Sequence, residues 1–385
     1  MGSEMCIRDR FNTKCVHGSG KPDSTGAISP AIYMSSTFTH PGLGETTGFQ
    51  YTRESNPTRD RLETLIAGLE EGTDAIAFSS GMAAVDAVFH LFSPGDHVIL
   101  GDDLYGGSIR LFTNIYEKNG VEFTYVGTSD LDAVQAAFKP NTKAVYIETP
   151  TNPMMEITDV RALSKMAHDR NALVIVDNTF LSPYFQKPLH LGADIVVHSG
   201  TKFIGGHHDV ISGFTIVKDD ELAAQLRLIY KTVGACLSAF DSWLVIRGIK
   251  TLALRMEQHQ KNAIALAEWL KQEPKVTKVL FPGLPEHPGY EVNKSQTTGF
   301  GGMLSFEVDS EETAKQVLEG IQLIQFAESL GGTESLLTYP VTQTHPDLKP
   351  EDAERKGITR RLLRLSVGIE DTDDLIADLA QAFNK

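Results

Sequence analysis

The chain has 385 residues, 41% of them hydrophobic, and carries 50 acidic against 35 basic side chains for a formal net charge of −15. That length exceeds one ordinary core and suggests two domains, while the acidic balance disfavours nucleic acid and anionic membrane as partners. No run reaches the roughly 18 apolar residues that span a bilayer. Cys6, Cys15 and Cys236 are too few and too scattered for a disulfide framework or a zinc site, so no metal and a reduced, cytoplasmic setting are expected.

The first ten residues, MGSEMCIRDR, lack the apolar segment of a signal peptide and are expected to be a disordered leader (1–10). An N-terminal arm (11–59) follows. From Thr13 to about Asn56 it is rich in Gly, Pro, Ser and Thr and shows little periodicity, so it reads as extended chain. At about Pro57 the pattern becomes helical, in RDRLETLIAGLEEG.

Strands and helices then alternate through 60–245. AIAFS (75–79) reads as a strand and GMAAVDAVFHLF (81–92) as a helix. HVILG (97–101), FTYVG (123–127), AVYIE (144–148), LVIVD (173–177), DIVVH (194–198) and FTIVK (214–218) read as further strands. Between them GSIRLFTNIYEKNG, SDLDAVQAAF (N-cap Ser129 or Asp130) and DVRALSKMAHDRN read as helices. Strands apolar throughout, separated by amphipathic helices, predict an α/β fold with a mostly parallel sheet covered on both faces. One long helix is expected from Ala239 to Lys271. The remainder (246–385) reads as a smaller α+β domain, with strands VTKVLF, MLSFEV and LLRLSV and helices from Glu311 and Thr372.

Ligands in such sheets gather beyond the carboxyl ends of the parallel strands. Those ends carry Ser80-Gly81-Met82, the run Asp102 to Gly107 with Tyr105 in it, Asn152, Asp177, and Ser199, Thr201 and Lys202. Ser80 and Gly81 open a helix, whose unpaired N–H groups suit a phosphate. Alone, such a turn is more often a plain cap. Lys202 is the sharper signal, because lysine is rarely placed where a core strand ends. A lysine, a carboxylate and an aromatic face beside a phosphate cradle together describe a site for pyridoxal 5′-phosphate (PLP). Such a lysine must be neutral to attack the aldehyde, which a desolvated pocket favours. His207, His208 and Asp209 follow two glycines and read as a solvated turn. The glycines themselves are expected to let the chain turn away and clear the cofactor ring.

VDNTF followed by LGADIVVHSGTKFIGGH resembles the trans-sulfuration group of fold-type I PLP enzymes. YTRESNPT, FSSGMAA, DDLYGGS, ETPTNP, AESLGGTESL and LLRLSVGIED occur in the same order as in that family, over nearly the whole chain after the leader. The resemblance implies that Lys202 forms the Schiff base and later moves protons through a ketimine stage. It implies that Asp177 pairs with the pyridine nitrogen, that Tyr105 stacks on the ring, and that Asn152 lies near the ring hydroxyl. Gly81, Met82, Ser199 and Thr201 would hold the phosphate, with Tyr51 and Arg53 supplied by a neighbouring subunit in a homotetramer built as a dimer of dimers. Arg364 would clamp the substrate α-carboxylate beside Ser329, while Glu328 and Arg110 would meet the far end of a substrate such as cystathionine. Tyr105 or Tyr51 would assist the leaving group.

Within the family the resemblance points to cystathionine γ-synthase or γ-lyase chemistry. The alternatives are a cystathionine β-lyase, which TYPVTQTHPD (338–347) resembles more, or a methionine γ-lyase, whose members typically carry cysteine where this chain has Gly107. A transaminase, or a PLP-binding protein without chemistry, fits the motifs less well.

Overall fold

The structure is a computed structural model and describes residues 10–18, 20, 22, 24–345 and 350–385. The expected leader, but for Arg10, and the last two residues of TYPVTQTHPD lie outside the described residues. No helix among the described residues is long and apolar enough to cross a membrane.

The larger sheet has seven strands: β1 (Asp74–Phe78), β2 (His97–Gly101), β3 (Glu122–Val126), β4 (Thr142–Glu148), β5 (Leu173–Asp177), β6 (Ile195–Ser199) and β7 (Gly213–Val217), in the order β1-β7-β6-β5-β4-β2-β3. β2 to β6 run parallel to one another, and only β7 is reversed, lying antiparallel to β1 and β6. The unbroken apolar strands are explained by burial on both faces. Val145, Ile147, Val174 and Val176 point into one core, whereas Ala144, Tyr146 and Ile175 point into the other. Each fully buried valine or isoleucine among them contributes about 1.5–3 kcal/mol. The strand order reverses at β2 and β4, which opens a crevice at their carboxyl ends.

A second sheet of five strands, β8 (Val276–Leu280), β9 (Met303–Val308), β10 (Gln325–Phe326), β11 (Leu336–Thr338) and β12 (Leu362–Ser366), has the order β10-β11-β12-β9-β8. Its own core joins Leu304, Phe306 and Leu365 to Leu266, Val317, Leu379 and Phe383 from three helices.

Helix starts follow their caps. Asn56 accepts from Thr58 N–H with Pro57 at the first position, Ser80 accepts from Ala83, and Asp130, rather than Ser129, caps the next helix. Several expectations are corrected. Phe11–His17, inside the expected loose arm, is a helix that buries Cys15, and Phe11 meets Tyr184 edge-on at 5.2 Å. The single helix expected over Ala239–Lys271 is two, Ala239–Ile249 and Leu252–Leu270. It breaks because Gly248 presses against Gly205, where a Cβ would lie 2.3 Å from the carbonyl oxygen, and because Arg255 and Thr251 both bind the Gly248 carbonyl. The helix expected through GSIRLFTNIYEKNG turns into a π-helix over Phe112–Tyr116. A further helix, Asp220–Val233, packs beside β1.

Candidate active site

A cavity of about 380 Å³ opens at the carboxyl ends of β2, β4, β5 and β6 and is closed on its far side by β12 and the segment before β11. Lys202 lies in the turn that follows β6. Its N–H donates to the Ser199 carbonyl at 3.2 Å, and its own carbonyl accepts from Gly206 at 2.8 Å. Arg255 holds the turn from behind, donating to the carbonyls of Phe203 at 2.7 Å and Gly248 at 2.9 Å. Gly206 has φ +72°, and a Cβ there would lie 2.0 Å from the Arg255 guanidinium. Gly206 thus clears this arginine, while a Cβ at Gly205 would lie 3.0 Å from the Gly200 carbonyl oxygen and from Val210. The Lys202 ammonium reaches Ser329 Oγ at 2.9 Å. Burial, with help from Arg364 and against Glu328, lowers its pKa to about 8.

Asp177 ends β5. Its Oδ1 accepts from Thr179 N–H at 3.0 Å and Thr179 Oγ1 at 2.5 Å, and Tyr146 Oη stands 3.5 Å from Oδ2. Burial raises its pKa, opposed by the Thr179 hydrogen bonds and by His198. A buried carboxylate facing a cavity in this way suits a cationic partner.

At the other end of the crevice Gly81 opens its helix with Ser80 as cap. A Cβ at Gly81 would lie 2.8 Å from Ser199 Cβ, so only glycine lets these two strand-end turns close into one cradle. Met82, Ser199 and Thr201 line the same end, although the Thr201 hydroxyl also engages Ser212 at 3.1–3.2 Å. The unpaired N–H groups of the first helical turn are what an anion needs.

Arg364 extends from β12 into the opposite wall and is 1% exposed. It donates to Asn152 Oδ1 at 2.9 Å, the Ser329 carbonyl at 2.9 Å and Thr338 Oγ1 at 3.1 Å, and its buried Nε has no partner among the described residues. Burial lowers its pKa to about 10. A guanidinium whose acceptors among the described residues are all neutral, with two of its five N–H donors unfilled, suits a carboxylate. Ser329 links the two cations and holds φ +85°, a left-handed conformation uncommon for a serine.

Tyr105 stands at the mouth, half-exposed, with its N–H held by Glu148 Oε1 at 2.9 Å. A Cβ at Gly107 would lie 2.4 Å from the Tyr105 ring, so the glycine permits the ring's present position. Arg110 and Glu328 complete the lining. Tyr51 and Arg53 are the exceptions. They lie on the arm, with Arg53 stacked over the Tyr51 ring at 5.6 Å and bound to the Lys231 carbonyl, and neither lines the cavity of its own chain. His208 and Asp209 are exposed in their turn. The sequence reading passed over Glu148, Tyr146, Thr179 and Thr338. Glu148 had a signal, since it closes a strand and opens ETPTNP; the others are visible only once the strands are paired.

Residues 12–384 match the family model described as Cys/Met metabolism PLP-dependent enzyme. A cystathionine gamma-synthase of Haemophilus influenzae is 50% identical over 367 residues, 95% of each chain. A cystathionine beta-lyase of Lactococcus lactis subsp. cremoris is 48% identical over 376 residues, 97% of this chain and 99% of that protein. The crystal structure of a cystathionine gamma-lyase from Lactobacillus plantarum, complexed with L-serine, superposes with a TM-score of 0.95 at 46% identity, covering 97% and 98% of the two chains.

Proposed function

Since the chain belongs to the Cys/Met-metabolism family of PLP-dependent enzymes, we propose that it makes or breaks the C–S bond of cystathionine or a related amino acid, by γ-replacement or γ-elimination. The observation that carries this is the pairing, within one cavity, of a buried lysine of lowered pKa with a buried, unfilled arginine 35 residues from their shared Ser329. An amino acid offers an amine and a carboxylate, one for each member of such a pair.

The donor set fits the cofactor. The glycine-opened helix and Ser199 offer a phosphate cradle, Asp177 offers a buried carboxylate, Tyr105 a ring, and Lys202 an amine. When bound, PLP supplies an aldehyde for amine capture and a protonated ring that withdraws electrons from the substrate carbons. Lys202 would hold the cofactor through its amine and, when free, would move protons between the α and β carbons of the substrate. Asp177 would meet the ring nitrogen as a carboxylate, and Asn152, which accepts from Arg364, would serve the ring hydroxyl. Arg364 fixes the substrate α-carboxylate, with Ser329 keeping it in reach of Lys202. Glu328 and Arg110 meet the distal ammonium and carboxylate, and Tyr105, or Tyr51 of a second copy, protonates the departing group.

Tyr51 and Arg53 would then serve the phosphate of a neighbouring subunit, in a homotetramer of two such dimers located in the cytoplasm. Product analysis tests the reaction. Cystathionine is supplied alone, and an O-acylated homoserine is supplied with cysteine. Cysteine plus 2-oxobutyrate marks γ-elimination, and new cystathionine marks γ-replacement. Homocysteine plus pyruvate would assign β-elimination instead, the reaction class in the name of the 48% identical Lactococcus lactis beta-lyase. No turnover of either substrate would sink the proposal.

A further inference from the structure

The wall that holds Asp177 carries a second buried acid that the reading above does not use. Glu148 ends β4 as Asp177 ends β5, and the two are partners in the parallel register. Their side chains therefore leave the sheet on the same face, beside one another. Tyr146 lies on this face too. Glu148 is 7% exposed and lines the cavity.

Two adjacent buried carboxylates do not both ionise. The hydrogen bonds decide which one does. Asp177 receives the Thr179 N–H and hydroxyl, with the Tyr146 hydroxyl nearby. Among the described residues Glu148 receives one donor, the Tyr105 N–H at 2.9 Å. Other charged and titratable groups do not reverse this order. Asp103, behind the β2 strand end, repels a charge on Glu148, whereas His198 from β6 favours one on Asp177. The cations Lys202 and Arg364 enter from other walls of the cavity. Burial, Asp177 and Asp103 push the Glu148 carboxyl well above its usual range, which agrees with the donor count.

We propose that Glu148 is a neutral carboxylic acid in the working enzyme, a positioning residue that leaves the single negative charge of this wall on Asp177 and ties the turn bearing Tyr105 to the ring-nitrogen site. The inference rests on Asp177 facing the cofactor ring, as read above. It predicts that the charge and the aromatic face are set by one side chain, reached from the cavity by its carboxyl and from the turn by one hydrogen bond.

The test uses the holoenzyme. An infrared difference spectrum, wild type minus Glu148→Gln at neutral pH, is expected to contain the carbonyl stretch of a protonated carboxylic acid. Glutamine mimics that acid as an acceptor for Tyr105 N–H, so E148Q is expected to hold PLP within about threefold of wild type, whereas E148A leaves a buried N–H unpaired and is expected to lose about tenfold or more. Absence of the protonated band overturns the proposal, and so does an E148Q variant that loses PLP as E148A does. If E148A does not fold, the spectrum and the E148Q affinity still decide. Failure of the underlying cofactor reading looks different: Lys202→Ala would then leave the Schiff-base absorbance unchanged.

Discussion

The strand-end cavity and the arm over residues 24–56 treat their side chains in opposite ways. In the cavity, chemistry is made by burial. Lys202, Asp177, Glu148 and Arg364 each have their proton affinity shifted by lost water, and each is held by a strand end or by a neighbour so held. The arm leaves apolar groups in the open, with Ile28 88% and Met34 75% exposed, and its two functional candidates stack on each other instead of entering a site. It is nonetheless fixed at its base: buried Arg59 donates to the Thr52 carbonyl, and Asn56 binds the Tyr33 carbonyl while capping the next helix. The contrast teaches that the buried part of the site is built by strand ends of one chain, whereas the arm's exposed apolar groups and unused Tyr51 and Arg53 are what the proposed service to a second copy would draw on.

The cavity half of that contrast breaks most strongly at Lys202. Lys202→Ala is expected to reduce turnover about a thousandfold or more and to abolish the Schiff-base absorbance of the holoenzyme. Steady-state kinetics and an absorption spectrum check both. Retention of the band would mean that another amine holds the cofactor. Next comes Arg364→Ala, expected to cost about a hundredfold in kcat/KM, mainly through KM, because two charge-assisted hydrogen bonds to a carboxylate are lost. Arg364→Lys should not restore it, since a point charge cannot reproduce the fork. A lysine variant with normal KM would show that the carboxylate binds elsewhere.

The arm half is probed by Arg53→Ala, expected to weaken PLP about tenfold as one phosphate contact is lost. Mixing Arg53→Ala with Lys202→Ala protein sharpens the point. If the arm serves a neighbour, hybrid assemblies contain a site with both native residues, and at a PLP concentration too low to saturate Arg53→Ala the activity rises above the mean of the two parents after subunit exchange. No gain on mixing would place Arg53 in the service of its own chain.

The two regions also differ in how far the sequence discloses them. Asp177 and Lys202 stand out in the sequence because one directly follows an apolar run and the other sits in the short turn after one, and a strand end is a local feature. Arg364 needed the resemblance of LLRLSVGIED, since an arginine within a strand has no local mark of its function. The Asp220–Val233 helix carries an Asp219 cap and a Gly234 stop, so its signals are present in the letters. The break at Lys250 is not, because it depends on Arg255 reaching carbonyls from a turn some fifty residues earlier. Glu148 stands between these cases. Its position at a strand end is local, but its meaning comes from the β4–β5 register that sets it beside Asp177. The short Phe11–His17 helix buries only Cys15, too little apolar periodicity to register in the arm.

The smallest expected effect concerns the apoprotein and isolates burial from catalysis. The folded-state pKa of Lys202 is lowered to about 8 from the ordinary 10.5. Below pH 8 both folded and unfolded chains bind this proton, and the folded chain carries the cost of a buried ammonium. Between about 8 and 10.5 the unfolded chain binds more protons, so this residue makes stability rise with pH across that window. Glu148 works in the opposite sense: its raised pKa gives stability that is present at low pH and lost as pH climbs through the folded value. The raw melting curve therefore mixes the two, and the useful quantity is the difference between wild type and Lys202→Met. That variant is expected to melt higher at pH 7, by about 2–4 °C or less, with the gap closing towards pH 10.5. A gap independent of pH would mean that the amine is solvated in the apoprotein, and that the cavity tunes Lys202 only once it is filled.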